Sequence, residues 1–219
     1  MMNGLRTVRN VMWCPRTGYR ENKEIIMHQL FFFSLCHFMQ SGVKVMMTTA
    51  PEPVQVIPVT RPEEIQKTGT SSGQRLLLVS VPAREPWLAS RAQLFLWRLR
   101  CLQATGRLPV TPCLLLSDLP DGPFPRLSEY LPVGKLRHAL MAALTQPHST
   151  RIVQVRQYEL SPLQEKILAQ SLAGASVAEM AGRLNISPRG VFAGRASLLH
   201  KLGLRNRLGL MGLDAADFT

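Results

Sequence analysis

The sequence predicts an α/β N-terminal domain with a parallel sheet, followed by an all-α C-terminal domain. Short continuous apolar runs, clearest at 76–81 and 113–117, are typical of strands buried on both faces of a parallel sheet. Segments of helical period at 87–104 and 134–144 alternate with these runs, as a parallel α/β fold requires. The pattern changes after residue 145, beyond which only helical signals occur.

The first part of the chain is the least regular. Residues 1–24 are predicted to be a basic extension; a disordered segment and a short strand at 8–14 are both left open, and Met27 offers a second translation start. The apolar run at 25–39 resembles a secretory signal, but it contains polar residues and lacks a small-residue cleavage site. It is also shorter than the ~20 residues that span a bilayer. The sequence therefore predicts a buried amphipathic helix at 22–40.

The α/β domain is assigned to residues 25–145 and is followed by a linker at 146–158. The helix at 87–104 is predicted to carry Leu88, Leu94, Phe95, Leu99 and Leu102 on one apolar side. The other elements of the domain are, in order, a strand at 43–49, an extended stretch at 54–60, a Gly/Ser loop at 67–73, the strands at 76–81 and 113–117, a Pro/Gly turn at 120–125, a short segment at 127–131 and a helix at 134–144.

Capping signals define four helices in the C-terminal domain, residues 159–219. Ser161 and Ser176 are each followed three residues later by Gln or Glu, which is the arrangement of a capping box, and Ser187 precedes a proline. Gly174 and Gly203 stand where helices commonly end in a left-handed residue. The middle two helices are joined by three residues, as in a helix-turn-helix whose second helix enters the major groove. The predicted helices cover 162–173, 177–184, 188–202 and the chain from 206.

The residues of this segment resemble a known family over about 55 positions, in order and without a gap. The resemblance is to the LuxR-type, or GerE-like, DNA-binding domain of bacterial transcription regulators. It implies that the third helix reads DNA and that the fourth commonly forms the dimer contact on palindromic sites. The matching positions are Leu160-Ser161-Pro162, Gly174, Ser176, Glu179-Met180-Ala181, Arg183-Leu184, Ile186-Ser187, Val191, Lys201-Leu202-Gly203-Leu204 and Arg205-Asn206-Arg207.

The recognition helix departs from the family. Where the family usually has Lys-Thr-Val-Lys-Asn-His, this chain has Arg-Gly-Val-Phe-Ala-Gly at 189–194. Arg189 keeps a cation that can reach a phosphate or a guanine edge, and Phe192 could contact a thymine methyl or pack on a partner protein. Arg189 and Arg195 could also be solvated surface cations. With the helix N-terminus as a phosphate donor, the candidate DNA-binding residues are Ser187, Arg189, Gly190, Phe192, Ala193, Arg195, Lys201, Arg205 and Arg207.

An α/β domain ahead of a LuxR-type module resembles the receiver domain of response regulators. A working receiver needs acidic residues after its first and third strands to hold Mg²⁺ and accept the phosphoryl group, and a Lys after its fifth. Here the first predicted strand ends in Cys14-Pro15-Arg16 and the third in Val81-Pro82, with no acidic residue. The domain is therefore interpreted as a degenerate receiver that is not phosphorylated by that chemistry. An unrelated α/β domain used for dimerisation is the alternative.

Charge and composition limit the classes of function and partner that the sequence allows. Lys and Arg number 26 against 14 Asp and Glu, and the net charge of +12 favours a polyanionic partner such as nucleic acid. The four cysteines are scattered without C-x-x-C spacing, which is typical of a reducing cytoplasm and argues against a zinc site. Catalytic and phosphate-binding motifs are missing from the sequence, so we expect neither an enzyme nor a cofactor.

The sequence thus predicts a cytoplasmic bacterial transcription regulator without phosphorylation control and without a membrane partner. We expect it to bind double-stranded DNA as a homodimer, or as a heterodimer with another transcription regulator. The alternative hypothesis is an auxiliary protein-interaction factor that pairs with another regulator and has little sequence readout of its own.

Overall fold

A computed structural model describes residues 26–67, 72–118, 124–145, 159–204, 206–211 and 213. The predicted extension at 1–24 and the predicted linker at 146–158 lie outside these residues. In the part described, no helix is long and apolar enough to cross a membrane. The elements are β1 (His28–Phe33), α1 (His37–Thr48), β2 (Val54–Pro58), α2 (Glu64–Lys67), β3 (Arg75–Ser80), α3 (Pro86–Ala104), β4 (Cys113–Leu116), β5 (Arg126–Leu127), α4 (Val133–Thr145), α5 (Pro162–Leu172), α6 (Val177–Leu184), α7 (Pro188–Leu202) and α8 (Arg207–Met211).

The N-terminal domain is a parallel sheet with helices on both faces, as the sequence predicts. Its strand order is β2-β1-β3-β4-β5, and every described pairing is parallel; Leu30 of β1, for example, lies between Val56 and Leu76. Alternate residues of β1 and β3 point into two separate cores, one beneath α1 and α4 and the other beneath α3. This order is that of the flavodoxin-like doubly wound fold, whose ligands bind outside the carboxyl ends of the strands.

Two predictions near the start of this domain were wrong. The segment predicted as a helix at 22–40 contains β1, in which all six side chains are buried. The two polar residues of β1, His28 and Gln29, can be buried because their side chains form hydrogen bonds. His28 Nε2 lies 2.8 Å from a Glu52 oxygen, its Nδ1 accepts from the Gln74 amide, and Gln29 Oε1 accepts from Arg75 Nε.

The predicted strand at 43–49 was also wrong, because residues 43–48 belong to α1 and Thr49 is its C-cap. Val43, Met46 and Met47 are the buried residues of that helix, and their spacing of three and four is the helical one. Side-chain burial at helical spacing thus overrode the local preference of valine and threonine for strands.

The described residues of the C-terminal domain form four helices, whose ends agree closely with the capping signals. Ser161 and Ser176 both form complete capping boxes, and Ser187 caps α7 by accepting a hydrogen bond from the Gly190 amide at 3.1 Å. Gly174 and Gly203 adopt the left-handed conformation with φ of 78° and 71°. The all-α architecture predicted for this part of the chain is confirmed.

The two domains are in contact through α3. Leu94 and Trp97 of α3 pack into the apolar cluster of the C-terminal domain, which includes Ile167 and Leu202. The sequence placed Leu94 on the same side of α3 as the residues that cover the sheet, but in the structure Leu94 packs in the C-terminal cluster. Since α3 is covered on two sides, a single apolar stripe does not describe it.

Candidate nucleic-acid interface

A tight turn between α6 and α7 sets the geometry of the helix-turn-helix. Asn185 ends α6 in the left-handed conformation, with φ of 51°, which asparagine tolerates better than most residues. The Ile186 amide then donates to the carbonyl of Ala181 at 3.1 Å. Ser187 begins α7 as its N-cap, so the chain reverses over three residues between two well-defined helix ends.

The N-terminal half of α7 presents a surface that is free of other parts of the described chain. Arg189, Phe192 and Ala193 are exposed, and Phe192 retains 60% of its accessible surface. Their spacing of three and four residues puts them on one side of the helix. The same side continues to Ala196 and His200, which are also exposed and which the sequence analysis did not single out. Their distances of seven and eleven residues from Arg189 are the signal that could have identified them.

Arg195 lies inside the domain, not on its surface. The residue is 8% exposed; its Nε donates to Ser171 Oγ at 3.3 Å and an Nη donates to the carbonyl of Ala175 at 3.4 Å. Burial lowers the pKa of the Arg195 guanidinium, and the charge of Arg207 lowers it further. The structure therefore differs from the prediction that this side chain faces the duplex: it connects α7 to α5 and to the segment before α6.

The other predicted cations do not share one environment: Lys201 binds a backbone carbonyl within the domain, whereas Arg207 is exposed. Lys201 Nζ donates to the backbone carbonyl of Glu159, which joins the end of α7 to the start of the domain. Arg207 is exposed at the first position of α8. Arg205 lies outside the described residues. Of the predicted set, the structure brings Ser187, Arg189, Phe192 and Ala193 together at one end of α7.

The two glycines of α7, Gly190 and Gly194, have different surroundings. A Cβ added at Gly190 would make ordinary contacts, the nearest being with Ser187 Oγ at 3.5 Å. A Cβ added at Gly194 would overlap the Cδ1 atom of Ile167, which is fully buried in α5. Gly194 thus allows α5 and α7 to approach closely, whereas the packing around Gly190 does not require glycine.

At the carboxyl edge of the sheet, the residues that follow β1 and β3 occupy the positions where a working receiver has its acidic residues. β1 is followed by Ser34-Leu35-Cys36 and β3 by Val81-Pro82, so the residue after each of these strands is not acidic. The nearby carboxylates instead bind backbone amides: Asp118 accepts from the Glu129 amide at 3.3 Å, and Glu129 accepts from the Ala83 amide at 3.2 Å. Burial raises the pKa of Glu129, and the charge of Asp118 adds to the effect. These hydrogen bonds tie the loops after β3, β4 and β5 together.

Fold and site together define a two-domain protein in which a sheet of receiver-like order carries a helix-turn-helix domain. Residues 158–213 match the family described as bacterial regulatory proteins, luxR family. The C-terminal domain is therefore a LuxR-type helix-turn-helix domain, as the resemblance in the sequence implied.

Several solved structures are similar to the chain at low sequence identity. RcsB from Salmonella enterica serovar Typhimurium, bound to promoter P1flhDC in the presence of phosphomimetic BeF3⁻, is 14% identical with a TM-score of 0.45, over 84% of this chain and 95% of that one. The response regulator RcsB in a DNA complex is 16% identical with a TM-score of 0.40, over 84% and 95% of the two chains. Full-length FixJ from B. japonicum is 15% identical with a TM-score of 0.37, over 84% and 93%. No curated protein sequence matches the chain.

Proposed function

We propose that the protein is a bacterial transcription regulator that binds double-stranded DNA through the N-terminal half of α7. The single observation that supports this most directly is the exposed surface formed by Arg189, Phe192 and Ala193 behind a capped turn. The first residues of a recognition helix contact base edges in helix-turn-helix proteins, so the exposed part of α7 is the part that a major groove would meet. The contact with α3 uses other sides of the domain and leaves this surface accessible.

Each exposed group has a distinct role in this proposal. Arg189 donates to a guanine edge or to a phosphate, and Phe192 and Ala193 provide apolar contact for a thymine methyl. The backbone amide of Arg189 at the start of α7 donates to a phosphate; Pro188 has no N–H, and the Gly190 amide already donates to Ser187 Oγ. Further phosphate contacts come from the cations that follow α7, namely Arg205 and Arg207, with Lys201 at its end.

Arg195 takes a positioning role in this proposal. Its two donated hydrogen bonds hold α7 against Ser171 and Ala175, so the side chain fixes the orientation of the recognition helix from inside the domain. A buried guanidinium that makes these bonds is not available to a phosphate without breaking them.

We propose further that DNA binding is independent of phosphorylation at the receiver-like sheet. The residues after β1 and β3 offer no carboxylate to hold Mg²⁺ or to accept the phosphoryl group. The carboxylates of Asp118 and Glu129 are already engaged with backbone amides. A regulator of this kind acts in the cytoplasm, where the DNA is, and its control comes from a ligand or a partner protein.

A dimer is the proposed binding form, with α8 as the contact. Leu208 and Met211 project from α8 and retain 73% and 65% of their accessible surface. Two apolar side chains on a short amphipathic helix suit burial against a second copy or against another LuxR-type regulator.

The heterodimer corresponds to the alternative function, an auxiliary factor with little sequence readout of its own. The exposed aromatic side chain of Phe192 favours this second candidate, since it could pack on a partner instead of on DNA.

Selection of genomic DNA fragments by the purified full-length protein, at about 150 mM salt, tests the proposal. Native protein is compared with Arg189→Ala and with a control, Arg107→Ala, which removes the same charge from an exposed loop of the N-terminal domain. We expect a shared, partly palindromic site that Arg189→Ala loses and Arg107→Ala keeps. Enrichment of no sequence, with weak and steeply salt-dependent binding in all three proteins, would contradict direct readout and support the auxiliary function.

A further inference from the structure

A pocket of about 300 Å³ opens at the carboxyl edge of the sheet, between the ends of β1 and β2 and one side of α3. Its apolar wall is formed by Phe33 and Phe95, whose ring centroids are 4.2 Å apart, together with Leu94. The volume lies at the lower end of the range of roughly 300–1,000 Å³ that small-molecule sites occupy. The carboxyl edge is also where parallel α/β sheets bind their ligands. This position is independent of the recognition helix.

Three arginines line the same pocket. Arg61 comes from the loop after β2, and Arg91 and Arg98 lie about two turns apart on α3; the described residues that line the pocket include no carboxylate. Arg98 Nε lies 2.7 Å from an oxygen of Glu63, and this ion pair fixes the direction of its guanidinium. The site therefore combines an apolar wall that contains two aromatic rings with three guanidinium groups.

The loop that carries Arg61 is held by local hydrogen bonds. A carboxylate oxygen of Glu64 accepts from the Thr60 amide at 2.8 Å, and the other accepts from Thr60 Oγ1 at 3.0 Å. These hydrogen bonds hold the backbone of the loop that carries Arg61. A ligand that binds beside this loop therefore loses less free energy in ordering its backbone.

We propose that this pocket binds a small organic anion, with its carboxylate or phosphate group at Arg61 and Arg91 and its apolar part on Phe33 and Phe95. Guanidinium groups bind carboxylates and phosphates through paired, charge-assisted hydrogen bonds, which neutral ligands cannot form. The apolar wall favours a ligand with an apolar body. The pocket volume limits that body to the size of a small molecule. Leu94 lines the pocket and also packs in the apolar cluster of the C-terminal domain, so the bound anion lies directly beside the contact between the two domains.

The test is a titration of the full-length protein, with ¹³C-labelled leucine methyl groups, followed by NMR. The probes are phenyl phosphate and benzoate, with benzyl alcohol as the matched neutral compound, at about 150 mM salt so that general charge attraction is screened. We expect the two anions to produce saturable shifts at the methyl groups of Leu35 and Leu94, which line the pocket. The methyl groups of Leu140, in the core on the other face of the sheet, should stay unchanged.

Three variants identify the residues responsible. Arg61→Gln and Arg91→Gln should each raise the dissociation constant for phenyl phosphate by about tenfold or more, the effect expected from the loss of a charge-assisted hydrogen bond. Arg107→Gln, on an exposed loop outside the pocket, should change it by less than about twofold.

Three results would overturn the proposal: no saturable shift with either anion, shifts of equal size with benzyl alcohol, or a loss with Arg107→Gln as large as that with the pocket variants. Arg61 is exposed, so Arg61→Gln decides the outcome if Arg91→Gln disturbs α3. DNA plays no part in this measurement, which keeps its result separate from that of the proposed function.

Discussion

Replacing the two glycines of α7 by alanine should have different effects on stability. In a helix interior, alanine is more favourable than glycine by about 1 kcal/mol. At position 190 the nearest atom to an added Cβ is Ser187 Oγ at 3.5 Å, so Gly190→Ala should keep this gain. For a chain of this length, about 1 kcal/mol raises the melting temperature by roughly 2–4 °C.

At position 194 the added Cβ overlaps Ile167 Cδ1, and Ile167 is fully buried. Overpacking of this kind costs about 1–3 kcal/mol, which cancels or exceeds the gain in helix propensity. We therefore expect Gly194→Ala to leave stability unchanged or to lower it by up to about 2 kcal/mol. Urea and thermal unfolding, followed by circular dichroism, measure both variants.

A double-mutant cycle isolates the cause. Ile167→Val removes the atom that would be overlapped and costs about 0.5–1.5 kcal/mol when made alone. Combined with Gly194→Ala it should cost less than the sum of the two single changes, with a coupling energy of about 1 kcal/mol. The reasoning fails if Gly194→Ala stabilises the protein as much as Gly190→Ala does, or if the effects of Gly194→Ala and Ile167→Val simply add.

The contacts described above also predict the effects of four other substitutions. Arg195→Ala should lower the free energy of unfolding by about 1–3 kcal/mol without changing the salt dependence of DNA binding, because its hydrogen bonds are internal. Arg207→Ala should leave the free energy of unfolding unchanged and reduce the slope of the log binding constant against log salt concentration by about one unit. If instead Arg195→Ala reduced this slope and Arg207→Ala lowered stability, Arg195 would be a DNA contact. Leu94→Ala should cost about 2–5 kcal/mol in urea unfolding, whereas Val110→Ala, at an exposed position, should cost little; equal costs would contradict packing of Leu94 in the C-terminal cluster. For Glu129 the folded state favours the protonated carboxyl, so its contribution to stability is present below its unfolded pKa of about 4.5 and is lost as the pH rises through the raised folded pKa. Glu129→Gln should thus be more stable than the native protein at neutral pH, with a difference that shrinks below about pH 4.5; a constant difference in unfolding free energy across this range would rule out the titration.

The C-terminal domain could be predicted almost entirely from the sequence, because its helix ends are determined by local chemistry. Ser161, Ser176 and Ser187 act within three residues of themselves, and Gly174 and Gly203 are needed for their own backbone angles. The start of the α/β domain could not be predicted in this way. Whether an apolar run of about fifteen residues is a helix or a strand depends on its pairing with distant strands, and β1 pairs with residues 54–58 and 75–79.

The exposed surface of α7 could be predicted in part, and for a related reason. Exposure at the N-terminal end of α7 follows from the helix-turn-helix pattern, which local signals establish. The burial of Arg195 depends on Ser171 and on the carbonyl of Ala175, which are 24 and 20 residues away in the sequence. A cation on a predicted DNA-binding helix is indistinguishable, in the sequence, from one that packs inside the domain.

The contact between the domains constrains how DNA binding could be controlled. The C-terminal domain rests on α3 through its apolar cluster and through α8, where Gly209 lies so close that a Cβ would come within 2.6 Å of Ser90 Oγ. The recognition surface of α7 remains exposed in this arrangement, so docking on α3 and docking on a duplex use different sides of the same domain. A change in the position of α3, such as one caused by an anion beside Leu94, would therefore act on both α7 and α8, because α3 contacts both helices, and through them on the spacing of two recognition helices in a dimer. Because the spacing of half-sites is a geometric property of the dimer, control of this kind would alter which sites are bound without altering the contacts of α7 itself.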